Sequence, residues 1–226
     1  MPPKPRVQTP KKRGAAADPG AAARQRRVLY ALAASGLVAL GVVVVLLLVA
    51  GGGSSGTDVE RVRAAAEAAG CTLQSAKAGA RGHTVTTPDG TIKWNTNPPT
   101  TGPHYEVPAV WGAYDSPLQP ARYVHNLEHG GIYIQYGDDV PEETVQQLRT
   151  FYDDHQRGTL LAPLPSLNDQ IALGAWVTPS EAEADNGTGY LMKCTEFDED
   201  AFTAFFEEFQ FKGPERFPAD TLLPGT

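Results

Sequence analysis

One uncharged stretch of 22 residues limits how this chain can be organised. Residues 29–50, with the sequence LYALAASGLVALGVVVVLLLVA, contain no charged side chain. At about 1.5 Å per residue, a helix of this length reaches across the roughly 30 Å hydrocarbon core of a bilayer. We therefore predict a transmembrane helix over residues 29–50, which separates a short N-terminal part from everything that follows.

The residues on either side of this segment predict its orientation. Arg24, Arg26 and Arg27 lie directly before it, whereas the sequence GGGSSG follows it. Because positively charged flanks stay on the cytoplasmic side, we expect residues 1–28 in the cytoplasm and the rest outside, in a single-pass protein of the cell membrane. A cleaved signal peptide is the competing interpretation, but its apolar region usually covers only about 7–15 residues.

The two sides of the apolar segment also differ in charge. Residues 1–50 carry eight of the 19 Lys and Arg residues and one of the 26 Asp and Glu residues, so the remainder is strongly acidic. An acidic domain lacks the basic face that binding to nucleic-acid phosphates requires. We expect a disordered cytoplasmic tail, a flexible linker, an extracytoplasmic domain and a short C-terminal tail, over residues 1–28, 51–57, 58–218 and 219–226 respectively.

The domain mixes helical and strand patterns. The predicted helices have apolar residues at helical spacing and cover residues 58–69, 141–158 and 198–211. The predicted strands are apolar runs bounded by turn residues and cover residues 132–136, 159–162, 171–177 and 190–194. A hairpin is expected over residues 83–94, around the turn at Pro88-Asp89-Gly90.

Residues 97–120 form a segment that is rich in proline. Six prolines exclude both a helix interior and a central strand from it. Tyr105, Trp111 and Tyr114 supply apolar area with which an irregular loop can pack, so we expect an ordered loop, followed by a short helical turn over residues 121–129. The predicted fold is thus α+β, with a small mixed or antiparallel sheet, flanking helices and a long Pro-rich ordered loop.

The chain has two cysteines, Cys71 and Cys194, and both follow the apolar segment. In an oxidising compartment a distant pair most simply forms a disulfide, which would stabilise the domain by about 2–4 kcal/mol. A redox-active or metal-binding thiol pair is the alternative, although the C-x-x-C spacing typical of such pairs does not occur.

Three of the five histidines lie between Asn97 and Tyr136. His125 and His129 are four residues apart, so a helical turn would place both imidazoles on one face, close enough to bind one cation. His104 lies in the Pro-rich loop, and His83 on the predicted hairpin. Three or four imidazoles suit copper or zinc, and we predict a site for copper first and zinc second.

Met192 is a candidate for a further ligand of this site. It is the one methionine after Met1, and it stands two residues before Cys194. A thioether close to the imidazoles would favour copper(I). In the alternative, metal-free interpretation, the histidines form hydrogen bonds within the loop, and the domain is a module whose Pro-rich loop docks on another protein of the cell envelope.

A zinc hydrolase is a third possibility. The sequence HNLEH resembles the zinc-protease motif H-E-x-x-H, but Glu128 stands directly before the second histidine, and we expect its carboxylate on a different side of the helix from His125. A G-x-S-x-G motif, a nucleophilic cysteine and a phosphate-binding glycine loop are absent from the sequence. We therefore assign no catalytic residue, and we expect His155 to be structural at a helix end.

Three motifs, NTNPPTTGPHY, VHNLEHGGIYIQY and FKGPERFP, resemble those of a bacterial family catalogued as domain of unknown function 3105, which is common in actinobacteria. The resemblance covers roughly residues 70–218. It implies a membrane anchor and a pair of cysteines, here Cys71 and Cys194, and it singles out His104, His125 and His129. His83 fits a histidine that precedes the first motif in relatives. The resemblance implies no reaction, so our hypothesis of copper handling or sequestration depends on the histidines alone.

Overall fold

A computed structural model describes residues 55–83 and 92–226. The predicted cytoplasmic tail and membrane helix lie outside the described residues, as do most of the linker and residues 84–91 of the predicted hairpin. Among the helices that are described, none combines the length and the apolar character needed to cross a bilayer.

The described residues form a domain that contains both α-helices and β-strands. Its helices are α1 (Ser55–Ala68), α2 (Pro120–Glu128), α3 (Glu142–Asp154) and α4 (Glu199–Phe209). Its strands are β1 (Thr72–Lys77), β2 (Gly112–Ala113), β3 (Ile132–Tyr136), β4 (Thr159–Pro163), β5 (Ile171–Val177) and β6 (Thr188–Cys194). Short 3₁₀ turns cover Pro165–Leu167, Glu181–Asn186 and Ala219–Thr221.

The strands form one six-stranded sheet in the order β1-β6-β5-β3-β4-β2. The pairs β1–β6, β6–β5 and β5–β3 are antiparallel, whereas the pairs β3–β4 and β4–β2 are parallel. Helix α3 makes the crossover between the parallel strands β3 and β4, because parallel neighbours need a long connection. An α+β fold with a mixed sheet and flanking helices is therefore confirmed.

Some elements differ from the sequence-based prediction. Strand β1 was not predicted, because its sequence TLQSAK is mostly polar and exposed, and it is held by antiparallel pairing with β6. Helix α1 begins at Ser55 and so includes the end of the predicted linker. The described ends of the predicted hairpin, His83 and residues 92–94, are not in strands.

Two apolar cores lie on opposite faces of the sheet. On the helical face, defined as the side covered by α1, α3 and α4, Phe202, Phe205 and Leu148 pack on the inward residues of β3 and β5. On the loop face, defined as the side covered by α2 and the Pro-rich loop, Tyr123 and Leu127 pack on the alternate residues of the same strands. Because side chains alternate along a strand, each central strand contributes to both cores.

Both ends of the domain are fastened to the sheet. Cys71, directly after α1, forms a disulfide with Cys194 at the end of β6, as the sequence predicts. At the C-terminus, Leu222 is buried, and the backbone N–H of Trp111 donates to the carbonyl of Thr226 over 3.0 Å. The predicted C-terminal tail therefore packs on the loop face.

Candidate metal centre

The C-terminal half of α2 carries two of the residues at the candidate site, His125 and Glu128. Tyr123, Val124 and Leu127 are fully buried against the sheet, which turns His125 and Glu128 toward the Pro-rich loop. The helix ends at Glu128, His129 is its C-cap, and Gly130 follows with a φ of +88°. A Cβ atom at residue 131 would lie 2.2 Å from the ring of Trp111, so the second glycine permits close packing behind the site.

Asn126 fastens the Pro-rich loop to the same helix. Its side-chain oxygen accepts a hydrogen bond of 2.9 Å from the backbone N–H of Ala109, and its Nδ2 donates to the carbonyl of Ala109 over 2.8 Å. Asn126 is fully buried. This pair of bonds replaces the ladder partners that an irregular loop lacks, and it keeps the loop in register with α2.

The first motif, NTNPPTTGPHY, places His104 inside the domain. Asn95 bonds to the carbonyl of Lys77 over 2.6 Å, and the hydroxyls of Thr96 and Thr100 bond to each other over 2.9 Å. His104 is fully buried, with its ring edge-on to that of Trp176 in β5. The loop around residues 95–104 is therefore an ordered frame for a buried imidazole, as its composition predicts.

Four side chains converge at this point. One ligand atom from each of His83, His104, His125 and Glu128 lies within 4.8 Å of the corresponding atoms of the others. The ring centroids of His83 and His125 are 4.6 Å apart, those of His104 and His125 4.9 Å, and those of His83 and His104 5.0 Å. The structure thus brings together residues from two loops and α2 that are up to 45 positions apart in the sequence.

Backbone carbonyls decide which nitrogen of each buried imidazole faces the cluster. Nδ1–H of His104 donates to the carbonyl of Gly102 over 2.8 Å, and Nδ1–H of His125 donates to the carbonyl of Tyr105 over 2.7 Å. A neutral imidazole with a proton on Nδ1 has its lone pair on Nε2. Metal-binding histidines are commonly oriented by this kind of bond.

Glu128 lies at the centre of the charges in the cluster. Its side chain is 3% exposed, and its Oε1 accepts a hydrogen bond of 2.9 Å from Nε of Arg81. Its Oε2 is 3.0 Å from Nε2 of His104 and 3.7 Å from Nε2 of His83. Burial alone would raise the pKa of Glu128, but the hydrogen bonds from His104 and Arg81 outweigh it and hold the pKa at about 2.

Nε2 of His104 faces Oε2 of Glu128 at 3.0 Å inside the domain. Both atoms are of the kinds that bind a metal ion, and an ion between them would have one ligand from each. The position of the Glu128 carboxylate corrects our expectation that it points away from His125, because residues three apart share a helix face.

His129 lies beside this group of four. Its Nε2 is 3.0 Å from Nε2 of His125 and 3.8 Å from Oε2 of Glu215. Burial, with the nearby His125 as the next cause, lowers the pKa of His129 to about 4, and burial likewise lowers the pKa of His125. His129 is therefore in contact with His125, although it is not one of the four residues whose ligand atoms lie within 4.8 Å of one another.

Met192 is not brought to the histidines. It is fully buried in the core of the helical face and pairs across the sheet with Leu73 and Leu173. His104 packs against Trp176, which belongs to the core of the loop face. The sheet thus separates the thioether from the imidazoles, and the proposal that Met192 joins them has no support in this geometry.

Sequence reasoning missed two charged residues at the site. Arg81 reaches Glu128 across 47 positions of sequence, and no local spacing indicates such a contact. Glu215 belongs to the third motif, whose backbone packs on the end of α2: its N–H donates to the carbonyl of Glu128 over 2.9 Å. The sequence offered only their positions as a signal: Arg81 stands two residues before His83, and Glu215 lies in the third motif.

Comparison with known proteins identifies a family. The model of a family described as "Protein of unknown function (DUF3105)" matches residues 85–221. This range contains His104, His125, Glu128 and His129, and it begins two residues after His83. No curated protein and no solved structure matches the chain.

Proposed function

The chain belongs to the family of proteins of unknown function DUF3105, and we propose that it is a metal-binding protein whose site is the cluster of His83, His104, His125 and Glu128. Three imidazole nitrogens and one carboxylate oxygen form a complete set of four ligands for a transition-metal ion. The ion would be bound and handed on, and the proposal includes no turnover of a substrate.

The convergence of four donor atoms, with Nδ1 of each buried imidazole held by a backbone carbonyl, is the observation that carries this proposal. Ligands at about 2.0–2.1 Å from a tetrahedral zinc ion are about 3.3–3.4 Å apart. The distances of 3.0 Å and 3.7 Å from Oε2 of Glu128 to the Nε2 atoms of His104 and His83 lie on either side of this value. Both distances from Glu128 are therefore close to the spacing that a tetrahedral ion requires.

The donor set favours a divalent ion. Imidazole binds copper and zinc alike, whereas a carboxylate is a hard ligand that does not favour copper(I). The thioether that would favour copper(I) lies on the other face of the sheet. We therefore propose copper(II) or zinc, and copper(II) is expected to bind more tightly because affinities at nitrogen and oxygen sites follow the Irving–Williams order.

We place this site outside the cytoplasm, next to the membrane. The apolar segment over residues 29–50 and the arginines before it support an anchored protein with this orientation. The disulfide between Cys71 and Cys194 supports an oxidising compartment. An anchored metal-binding domain there would handle or sequester the ion at the cell surface.

The geometry favours binding over zinc-dependent hydrolysis. A general base must have a free carboxylate oxygen within hydrogen-bond reach of the attacking water. One oxygen of Glu128 accepts a hydrogen bond from Arg81, and the other, beside His104, is the proposed ligand of the ion. Glu128 is thus placed as a ligand or as a partner of the histidines, and no second carboxylate lies in the described cluster.

The test is a metal titration of the purified full-length protein. Competition titrations with Cu²⁺ and Zn²⁺, combined with elemental analysis, measure the stoichiometry and the Kd of the wild type, His125→Gln and Glu128→Gln. His155→Gln is the matched control, because His155 stacks on Phe151 at 4.1 Å between centroids, away from the cluster. We expect one ion per chain and a loss of affinity of at least roughly 100-fold in both site variants.

Two results would contradict the proposal. If the wild type binds neither ion above background, the histidines have a structural role, and the metal-free interaction module becomes the better interpretation. If His155→Gln weakens binding as much as His125→Gln, the ion does not bind at the cluster.

A further inference from the structure

A second, outer set of donor atoms adjoins the proposed metal site. It consists of His129 and Glu215, whose Nε2 and Oε2 atoms are 3.8 Å apart. The side chain of His129 is 14% exposed, and that of Glu215 is 47% exposed, so the set leads from the interior to the surface. Imidazole and carboxylate are the same two ligand types that form the inner set.

His125 is the member of the inner set that lies next to the outer set. Its Nδ1–H donates to the carbonyl of Tyr105, so Nε2 carries the one lone pair with which the neutral ring can bind a metal ion. That Nε2 lies 3.0 Å from Nε2 of His129, and the ring of His125 also stacks on His83 at 4.6 Å. The lone pair on Nε2 of His125 can bind one ion at a time. We therefore expect an ion that passes between the inner set and His129 to be bound by His125 on the way.

The charges around the cluster favour the passage of a cation beside His129 and Glu215. On the side of His83, which is itself 44% exposed, the Arg81 guanidinium lies against Glu128 and repels an approaching metal ion. On the side of His129, the Glu215 carboxylate is 47% exposed and attracts a metal ion. The neighbouring Arg216 guanidinium is turned away, with its Nη2 donating to the carbonyl of Thr178 over 2.8 Å.

The outer set is held in place and partly covered. The backbone N–H of Glu215 donates to the carbonyl of Glu128, which fixes the third motif against the end of α2. The ring of Phe217 lies 4.4 Å from that of His129, and Phe217 is 39% exposed. We expect the Phe217 ring to slow the access of a metal ion to Nε2 of His129, because the ring covers the imidazole and supplies no ligand.

We infer that metal ions enter and leave the site by ligand exchange along Glu215 and His129. The inference rests on the proposed metal binding and adds the direction of transfer. Glu215 first binds the hydrated ion, His129 takes it up, and His125 brings it to His104, His83 and Glu128. No bond other than metal–ligand bonds forms or breaks, and water is released from the ion as protein ligands replace it.

The experiment measures rates and affinity separately. Full-length protein loaded with Zn²⁺ is mixed in a stopped-flow instrument with the chelator 4-(2-pyridylazo)resorcinol, and the apoprotein is mixed with Zn²⁺ for the reverse direction. The variants are Glu215→Gln and Phe217→Ala. Glu207→Gln is the matched control, because Glu207 is an exposed carboxylate on α4 that pairs with Arg61 over 2.9 Å, so the change in net charge is the same.

We expect Glu215→Gln to slow both loading and release by roughly tenfold, while the Kd and the unfolding midpoint stay at the wild-type value. A residue on the route lowers the barrier in both directions, whereas a resident ligand or a structural residue changes the Kd or the stability. Phe217→Ala is expected to speed up both directions, and Glu207→Gln to leave both rates unchanged.

Each other outcome overturns the inference, and the pattern tells which proposal fails. If the wild type binds Zn²⁺ but Glu215→Gln exchanges it at the wild-type rate, the route is wrong and the metal site stands. If the Kd of Glu215→Gln rises by the same factor as its release rate, Glu215 is a resident ligand and not part of a route. If the wild type binds no Zn²⁺, the proposed function fails, and the route fails with it.

Discussion

The two faces of the sheet are built by different means. The helical face is covered by three regular helices whose apolar residues pack on the strands, and the disulfide lies at its edge. The loop face is covered by the nine residues of α2 and by an irregular, Pro-rich loop, and it contains the buried charged and imidazole side chains His104, His125 and Glu128.

This difference shows how a small domain can separate stability from chemistry. Apolar helix packing is insensitive to the direction of individual polar atoms, so it stabilises the fold without forming a site. A loop that does not use its carbonyls in a ladder can direct them at side chains, as Gly102 and Tyr105 do toward His104 and His125. We therefore expect changes on the helical face to affect stability alone, and changes on the loop face to affect both stability and metal binding.

The largest expected effect on stability comes from the edge of the helical face. The disulfide joins residues 123 positions apart, and replacing both cysteines, Cys71→Ser with Cys194→Ser, is expected to lower the free energy of unfolding by about 4–5 kcal/mol. Urea denaturation measures the loss. The metal Kd of the folded variant should equal that of the wild type, and a weakened Kd would show that the two faces are coupled.

Glu128→Ala tests the loop face itself. The change leaves His104 buried without its partner and frees Arg81, so we expect a loss of about 3 kcal/mol in unfolding free energy, together with loss of metal binding. Glu207→Ala removes an exposed ion pair and should cost about 0–1 kcal/mol. Denaturation and metal titration of both variants check the prediction, which equal stabilities would refute.

The pH dependence of stability should come from the loop face. Because the pKa of His129 falls from 6.5 in the unfolded chain to about 4 in the folded domain, the unfolded state binds more protons between these values. Stability of the apoprotein should therefore fall by about 2–3 kcal/mol as the pH drops from about 6.5 to 4. The lowered pKa of His125 acts in the same direction.

Glu128 extends the same trend to lower pH. Its pKa is 4.5 without interactions and about 2 in the domain, so its contribution is present above pH 4.5 and is lost as the pH falls toward 2. Urea denaturation at a series of pH values measures both parts. His129→Gln should flatten the curve between pH 6.5 and 4, and an unchanged slope in this variant would show that the burial of His129 is not its cause.

The smallest of these effects is expected where the loop is fastened to α2. Asn126→Ala leaves the backbone N–H and C=O of Ala109 buried without partners, which should cost about 1–3 kcal/mol. It should also weaken metal binding, because the loop that carries His104 is less well positioned. Gln146→Ala, which removes an exposed hydrogen bond to Glu142, is the control and should change neither quantity measurably.

The regular elements were accessible from sequence because their patterns are local. The phenylalanines at helical spacing predicted α4, and the apolar run IALGAWV predicted β5, both close to their observed bounds. Strand β1 was missed because its polar sequence is held by its partner β6, and pairing partners do not appear in a local pattern. The same limit concealed Arg81 and Glu215 as partners of the cluster.

For the site, the residue types were predictable and their grouping was only partly so. The imidazoles of His104 and His125 are brought together as their common segment suggested, and the spacing of three between His125 and Glu128 could have indicated the carboxylate. Met192 could have been placed beside the disulfide from its spacing of two to Cys194, since both then share one side of a strand. Which face the histidines occupy could not be read in this way.

The sequence by itself determined the chemical inventory of this protein: an apolar segment long enough to span a bilayer, an acidic domain, one pair of cysteines, and a Pro-rich segment with imidazoles. Apolar periodicity and turn residues depend on neighbouring positions in the chain, so most helices and strands could also be predicted from the sequence. Only the tertiary structure decided that His83, His104, His125 and Glu128 converge, that carbonyls orient the imidazoles, and that Met192 lies on the opposite face. Convergence depends on contacts between distant residues, and their geometry exists only once the sheet and both of its covering layers have formed.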